Sequence, residues 1–360
     1  MEFLFNKVIL QPTSLCNLNC AYCYLPHRNN NFRMQPKITE SIALSLESQE
    51  LHTCFSVIWH GGEPLSCGLE HFSRLIYPFQ DLLAKEKIRH YIQTNATLIN
   101  KEWCDFFVEN KFEVGVSLDG PIWANKNRVN WNNINAFSDI MRGIQLLKDA
   151  QIEFSIIAVV GNDSIAYASD IYNFFADLGC RSLAINIEER EGMNSTREIC
   201  DKNDVKNFWS ELFLAWKNNP VIRIREFHKA VSWMESICEG TQYGASRFVD
   251  LIPTVSWQGD VVVLSPELSG FKNLHYKDFI VGNVIDQPLR ILMCQAQNSS
   301  YVQDFIAGVE NCKAECKYFS FCGGGQASNK LFEHGRLEIT ETKFCINSKQ
   351  TLIDAVLDLL

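Results

Sequence analysis

The amino-acid sequence predicts an α/β fold on a parallel sheet, followed by a smaller C-terminal region. Three observations carry this reading. Short β-branched runs alternate with longer amphipathic stretches up to about residue 190, as βα units do. Polar, glycine-bearing loops follow the runs, which gathers them on one rim. Beyond about residue 235 the character changes to short runs, a "WQGD" turn at 257–260 and a glycine- and cysteine-rich tail.

Strands are expected at 4–12, 54–60, 90–94, 112–118, 153–160 and 182–187. Helices are expected at 38–50, 68–84, 100–110, 136–149 and 166–178, and two more at 202–218 and 224–238. Six such strands suit an open doubly wound sheet or a partial barrel. Both place chemistry at the C-terminal strand ends. There the sequence puts a three-cysteine loop after strand one, "HGGEP" after strand two, "TNAT" after strand three and "DGP" after strand four.

At 360 residues the chain is long enough for one large domain and a small one. Its formal charge of −9 speaks against a nucleic-acid partner. No apolar run approaches the roughly 20 residues needed to cross a bilayer, so no membrane association is expected. The start, "MEFLFNKVILQP", lacks a basic opening and a small-residue cleavage site. A buried first strand accounts for it better than a signal peptide, and a cytoplasmic location follows. In a reducing compartment, 14 cysteines clustered near the two ends point to metal rather than disulfides.

The first cluster, Cys16, Cys20 and Cys23, is spaced C-x3-C-x2-C, with Tyr22 before the third cysteine. Three soft thiolates suit three corners of a 4Fe–4S cube with one iron left open. The alternative is a zinc knuckle completed by His27 or His60. The second cluster, Cys312, Cys316, Cys322 and Cys345, offers four thiolates, enough to close a zinc site or a further iron–sulfur cluster.

Cys16, Cys20, Tyr22 and Cys23 resemble the signature of radical S-adenosylmethionine (SAM) enzymes. The resemblance implies a partial (β/α)6 barrel and a 4Fe–4S cluster whose open iron takes SAM. It makes Gly61, Gly62 and Glu63 a SAM loop and turns Gln93 and Asn95 toward the pocket. Ser117 and Asp119 become candidates for the SAM ribose and carboxylate, and Arg128 for the carboxylate, which a guanidinium fork matches. The tail resembles the SPASM or twitch extension of peptide-modifying members. It implies one auxiliary cluster of the 4Fe–4S type on the four tail cysteines. The hairpin "WQGDVVVLSPELSG" carries Ser265 where a second auxiliary cluster would need a cysteine, which leaves Cys238 without partners.

The pattern "SPEL", "C-x3-C-x-Y-F-x-x-C-G-G-G", "NK" and "ET-x-x-C", with "VILQPT", "WHGGEPL" and "QTNATLI", is similar to cyclophane-forming maturases of glycine-rich-repeat precursor peptides. The match is weakest over residues 188–250. The implied domains are a radical SAM core at 1–235 and a SPASM/twitch-like unit at 236–360. The implied reaction joins a side-chain β-carbon to an aromatic ring of a ribosomal precursor peptide. The implied partners are that peptide with its leader and an external flavodoxin- or ferredoxin-type donor. Some relatives carry an N-terminal leader-gripping domain, which is not expected before Cys16 here. Glu267 is the candidate base, with Glu188 and Glu189 as alternatives. Epimerisation, thioether formation, sulfatase maturation and a non-catalytic zinc scaffold are the rival readings. Cys54, Cys67, Cys104, Cys180, Cys200, Cys238 and Cys294 are expected to be small buried hydrophobes.

Overall fold

The computed structural model describes residues 5–49, 53–241 and 249–360. Leu4 and Glu50, at the outer ends of the first expected strand and helix, lie outside these residues, as do residues 242–248. Six strands lie side by side, all parallel and in chain order: β1 (Lys7–Leu10), β2 (Phe55–Trp59), β3 (Ile88–Thr94), β4 (Glu113–Ser117), β5 (Phe154–Val160) and β6 (Ser182–Ile187). A short β7 (Arg223–Ile224) extends the β6 edge. A doubly wound sheet reverses strand order at a switch point. No reversal occurs here, so the sheet is a strip of barrel, as the resemblance implies.

Helices fill the crossovers at Pro36–Glu47, Leu69–Ile76, Lys101–Glu109, Phe137–Asp149, Ala168–Leu178 and Lys202–Asn218. Burial alternates along the strands, fully buried at Phe154, Ile156, Ala158 and Val160 and half-buried between them. The fully buried face packs under the helices through aromatic rings. Phe72 lies 4.9 Å from Trp59 and 5.6 Å from Trp103, and His90 stacks on Phe112 at 5.0 Å. The half-buried face carries Gln93, Gly115 and Ser117 and is the side left for a ligand. The single expected helix at 68–84 is interrupted at Tyr77–Phe79, where Pro78 supplies no backbone N–H.

Past residue 235 the chain returns to the other edge. β8 (Thr254–Val255) pairs parallel with β1, and β9 (Asp260–Val262) and β10 (Gly282–Asn283) continue antiparallel, giving ten strands in one sheet among the described residues. This covers an otherwise open strand edge. The tail beyond is chiefly helical, with helices at Leu289–Ala296, Ser300–Glu315, Ala327–His334 and Thr351–Leu357. Tyr301, Phe305 and Val309 recur at helical spacing and are buried, a signal masked by the glycines and cysteines around it. Of the seven remaining cysteines, Cys67, Cys104, Cys180 and Cys200 are buried as expected. Cys54, Cys238 and Cys294 are exposed, correcting that expectation. No helix among the described residues is long and apolar enough to cross a membrane.

Gly143 sets how closely helix Phe137–Asp149 approaches the loop after β3. A Cβ there would overlap the Ala96 carbonyl oxygen. Gly143→Ala is expected to destabilise the fold by about 1–3 kcal/mol, read as a lower denaturant midpoint. A raised midpoint, which helix propensity alone would give, would show that the loop yields.

Candidate active site

The three-cysteine loop follows β1 and is clamped from both sides. Cys16 N donates to Arg28 O (2.8 Å), Asn19 N to Val129 O (2.7 Å) and Ala21 N to Asn127 O (3.0 Å). The Trp131 indole donates to Cys16 O at 2.8 Å. Leu18 N donates to Cys16 Sγ at 3.4 Å, and Asn95 Nδ2 lies 4.0 Å from the same sulfur. Burial raises the Cys16 thiol far above its ordinary range, and the neighbouring thiols add to this. Cys20 is pushed up to about 11, by burial first, against the pull of Arg128. Among the described residues no three histidine, cysteine or acidic side chains close on a single ion. Three soft donors that sense one another without converging on one point fit the corners of a cluster. Neither histidine of the zinc alternative joins them: His60 Nε2 meets Tyr24 Oη at 3.1 Å, and His27 is exposed.

The turn after β2 is built on two glycines. Gly62 has φ +61, and a Cβ on it would sit 2.6 Å from Leu15 O and 2.7 Å from Thr13 O, so only glycine lets this turn pass beneath the cysteine loop. Glu63, 1% exposed, accepts from Leu65 N (3.1 Å), Thr94 Oγ1 (2.6 Å) and Asn95 N (2.7 Å). Burial pushes it up to about 7, and the three donors pull against that. Asn95 in turn donates to Asn17 Oδ1 at 2.9 Å.

The loop after β4 holds an ionic knot. Asp119 accepts from Arg128 (2.8 Å) and Val159 N (2.9 Å) through one oxygen and from Tyr22 Oη (2.6 Å) through the other. The Arg128 guanidinium lies 5.4 Å over the Tyr22 ring, and its buried Nε has no partner. A buried donor without an acceptor beside three thiols is a fitting place for a ligand carboxylate. Gln93 Nε2 donates to Ser117 Oγ at 2.9 Å across the β3–β4 pair. A Cβ on the facing Gly115 would overlap the Gln93 side-chain amide oxygen. The structure therefore brings every expected residue of this end to one rim, with Asp119 already committed to protein donors.

Near Tyr24 lies a group of acids. Asn329 Nδ2 donates to Glu189 (2.5 Å) and Glu191 (2.8 Å). Glu267 sits close to both. Burial pushes Glu189 up to about 8 and Glu267 up to about 7, and Glu191 rises well above the carboxylate range through burial and the other two charges. Tyr24 is raised by burial, then by Glu267, Cys23 and Glu191, which ties this group to the cysteine loop. Glu188, by contrast, is held by the Arg197 guanidinium and does not join it. Sequence reasoning missed Glu191, Tyr24 and Asn329. The signals were the position of Tyr24 beside Cys23 and the "EERE" run at 188–191. A cavity of about 520 Å³ adjoins, lined by Arg190, Glu191, Ser195, Phe332 and Lys343 among others.

Cys312, Cys316, Cys322 and Cys345 line one cavity with Gly324 and Gly325. Thr342 N donates to Cys345 Sγ at 3.3 Å, and Gln350 Nε2 lies 3.8 Å from it. The set suits a closed four-thiolate centre. Ser265 is buried and accepts from Ser328 N at 3.4 Å, whereas Cys238 is exposed at the end of its helix.

The fold and the two thiol sets define a class: an enzyme on a strip of parallel barrel, with three cysteines on the loop after β1 and four lining a cavity in the tail. The chain belongs to the radical SAM superfamily, whose profile matches residues 10–188. As a member it uses SAM with a 4Fe–4S cluster, and its SPASM-type relatives carry an auxiliary cluster. An uncharacterised protein of Synechocystis is 33% identical over 99% of this chain and 92% of its own length. A cysteine-type anaerobic sulfatase-maturating enzyme of Clostridium perfringens is 29% identical over 89% of this chain and 88% of that one. The solved structure of anSMEcpe with bound AdoMet and the Cp18Cys peptide has a TM-score of 0.78 at 25% identity. That match covers 98% of this chain and 97% of that one.

The acid group makes stability pH-dependent. Glu189 titrates near 8 in the fold but at about 4.3 when unfolded. The folded chain thus holds the extra proton between those values, and stability falls as pH rises through that window. Glu189→Gln keeps the Asn329 acceptor and removes the titration. The melting temperature of the metal-free variant is expected to drop less between pH 6 and pH 8 than that of the parent chain. Equal drops would show that Glu189 does not retain its proton.

Proposed function

We propose that this chain is a peptide maturase that links an aromatic ring to a side-chain β-carbon of a ribosomally made precursor peptide, one C–C bond per event. The observation that carries the reading is that, among the described residues, four tail cysteines line one cavity while Ser265 is buried in the hairpin where the resemblance would place a further ligand. A crosslink removes one hydrogen atom, one electron and one proton from the peptide, so one auxiliary acceptor suffices. The core is assigned to 1–235 and the auxiliary unit to 236–360.

When bound, SAM on the open cluster supplies a carbon radical that abstracts hydrogen, and the closed cluster supplies a one-electron acceptor. Cys16, Cys20 and Cys23 hold the first cluster and Cys312, Cys316, Cys322 and Cys345 the second. Gly61 and Gly62 let the SAM loop approach, and Glu63 fixes that loop. Arg128 presents its unpaired Nε to the SAM carboxylate, oriented by Asp119. Gln93, Asn95 and Ser117 line the half-buried face beside it. Glu267, held near neutrality beside Glu189 and Glu191, takes the ring proton. The cavity beside Glu191 receives the peptide, and an external flavodoxin- or ferredoxin-type protein supplies electrons.

Sulfatase maturation is the second reading, favoured by the similarity to the C. perfringens enzyme over 89% of this chain. The test is anaerobic reconstitution with SAM, a reductant and aromatic-bearing precursor peptides, followed by mass spectrometry. Crosslinking gives a loss of about 2 Da per event and no aldehyde. A hydrazide-reactive product from a sulfatase peptide would favour the second reading, and unchanged mass with inverted chirality would favour epimerisation. Iron should reach about eight atoms per chain, four per cluster, and two zinc ions would overturn both readings. The crosslinking rate should rise with pH through about 7 as Glu267 loses its proton. Glu267→Gln should lose that rise and most of the rate, and full activity in this variant would move the role to Glu189 or Glu191.

A further inference from the structure

The "NK" pair at 329–330 sits on helix Ala327–His334, between the acid group and the closed thiol site. Asn329 reaches one way, to Glu189 and Glu191. Lys330 reaches the other. Its ammonium lies 3.9 Å from Cys312 Sγ and 5.1 Å over the Phe305 ring, and the residue is 1% exposed. Room for it is made by Gly308, where a Cβ would sit 2.8 Å from the ammonium. The Lys330 stem also passes Gly325, whose Cβ would lie 3.8 Å from Cε.

A buried ammonium is costly unless an anion faces it. No carboxylate among the described residues pairs with Lys330. The sulfur it meets is Cys312 Sγ, at 3.9 Å, on the cavity that Cys316, Cys322 and Cys345 also line. Thiols become anionic when they bind metal, so the lysine and the cysteines neutralise each other only once the site is loaded.

We propose that Lys330 is a positioning cation for the auxiliary cluster: its fixed charge stabilises the reduced state and raises the reduction potential of the centre held by Cys312, Cys316, Cys322 and Cys345. The inference deepens the reading given under Proposed function and rests on it. As the new bond forms, the substrate radical would lose one electron and its ring proton would pass to a carboxylate; a cluster on the four tail cysteines would supply the acceptor for that electron. A positive charge within a few ångströms in a low-dielectric interior favours the extra electron. Asn329, one residue away, holds two of the acids on the proton side. The same helix therefore borders both destinations.

The test uses the full chain with Cys16, Cys20 and Cys23 replaced by alanine, reconstituted anaerobically so that only the auxiliary cluster remains. Its midpoint potential is read by an electron paramagnetic resonance redox titration. Lys330→Met and Lys330→Gln are expected to retain about four irons and shift the midpoint to more negative values. Lys330→Arg, which keeps the charge, should stay near the parent value. An unchanged midpoint in an iron-loaded neutral variant overturns the proposal. So does a centre holding zinc with no redox signal. If one neutral variant fails to take up iron, the other and the arginine variant decide. A shifted midpoint in this variant, with no crosslinked product from the intact chain in the reconstitution assay given under Proposed function, would leave the role of Lys330 standing and remove the crosslinking reading. Product formation with an unchanged midpoint would do the reverse.

Discussion

One buried carboxylate holds the rim of the barrel together. Glu63 receives hydrogen bonds from the backbone of its own turn, from Thr94 Oγ1 and from the Asn95 amide at the end of β3. The turn passes under the cysteine loop through Gly62, and Asn95 reaches back to Asn17 and Cys16. The loops after β1, β2 and β3 thus form one hydrogen-bonded piece. A carboxylate out of water without a cation is stable only when its lone pairs are taken up, and three donors do that here. Losing any of these contacts would disturb the geometry of the three thiols as well as the turn.

A second constraint comes from the Asp119, Arg128 and Tyr22 knot. Tyr22 belongs to the cysteine loop, Asp119 follows β4 and Val159 belongs to β5. The knot ties the open thiol site to the opposite half of the sheet and leaves one guanidinium N–H unpaired. Charge is divided across the molecule in a consistent way. At the open site, cations and amides face thiols. Beside it, three acids share a pocket that favours protons. In the tail a buried lysine faces Cys312.

Much of this was legible in the residues. Strand and helix positions in the first 240 residues follow from periodicity, because each element shows one face to a core. The cysteine spacing, GGEP and the asparagine of QTNAT are local motifs whose backbone demands are written in adjacent residues. The helical tail was obscured because glycines and cysteines needed for a metal site interrupt the apolar pattern. The acid group was only half legible. Glu189 and Glu267 stood out as loop acids, but that Glu191 faces the pocket while Glu188 pairs with Arg197 depends on where the chain turns after β6.

The sequence by itself determined the strand order up to about residue 190, the spacing of the first three cysteines and the family to which they point, since these depend on patterns within a few residues. Only the tertiary structure decided which charges meet. Arg128 finds Asp119, Asn329 reaches two acids on a loop 138–140 residues away, and Lys330 ends against Cys312. Such pairings are set by how the C-terminal helices return across the barrel strip. No local pattern encodes that return, because it is fixed by burial of the whole sheet edge rather than by any one segment.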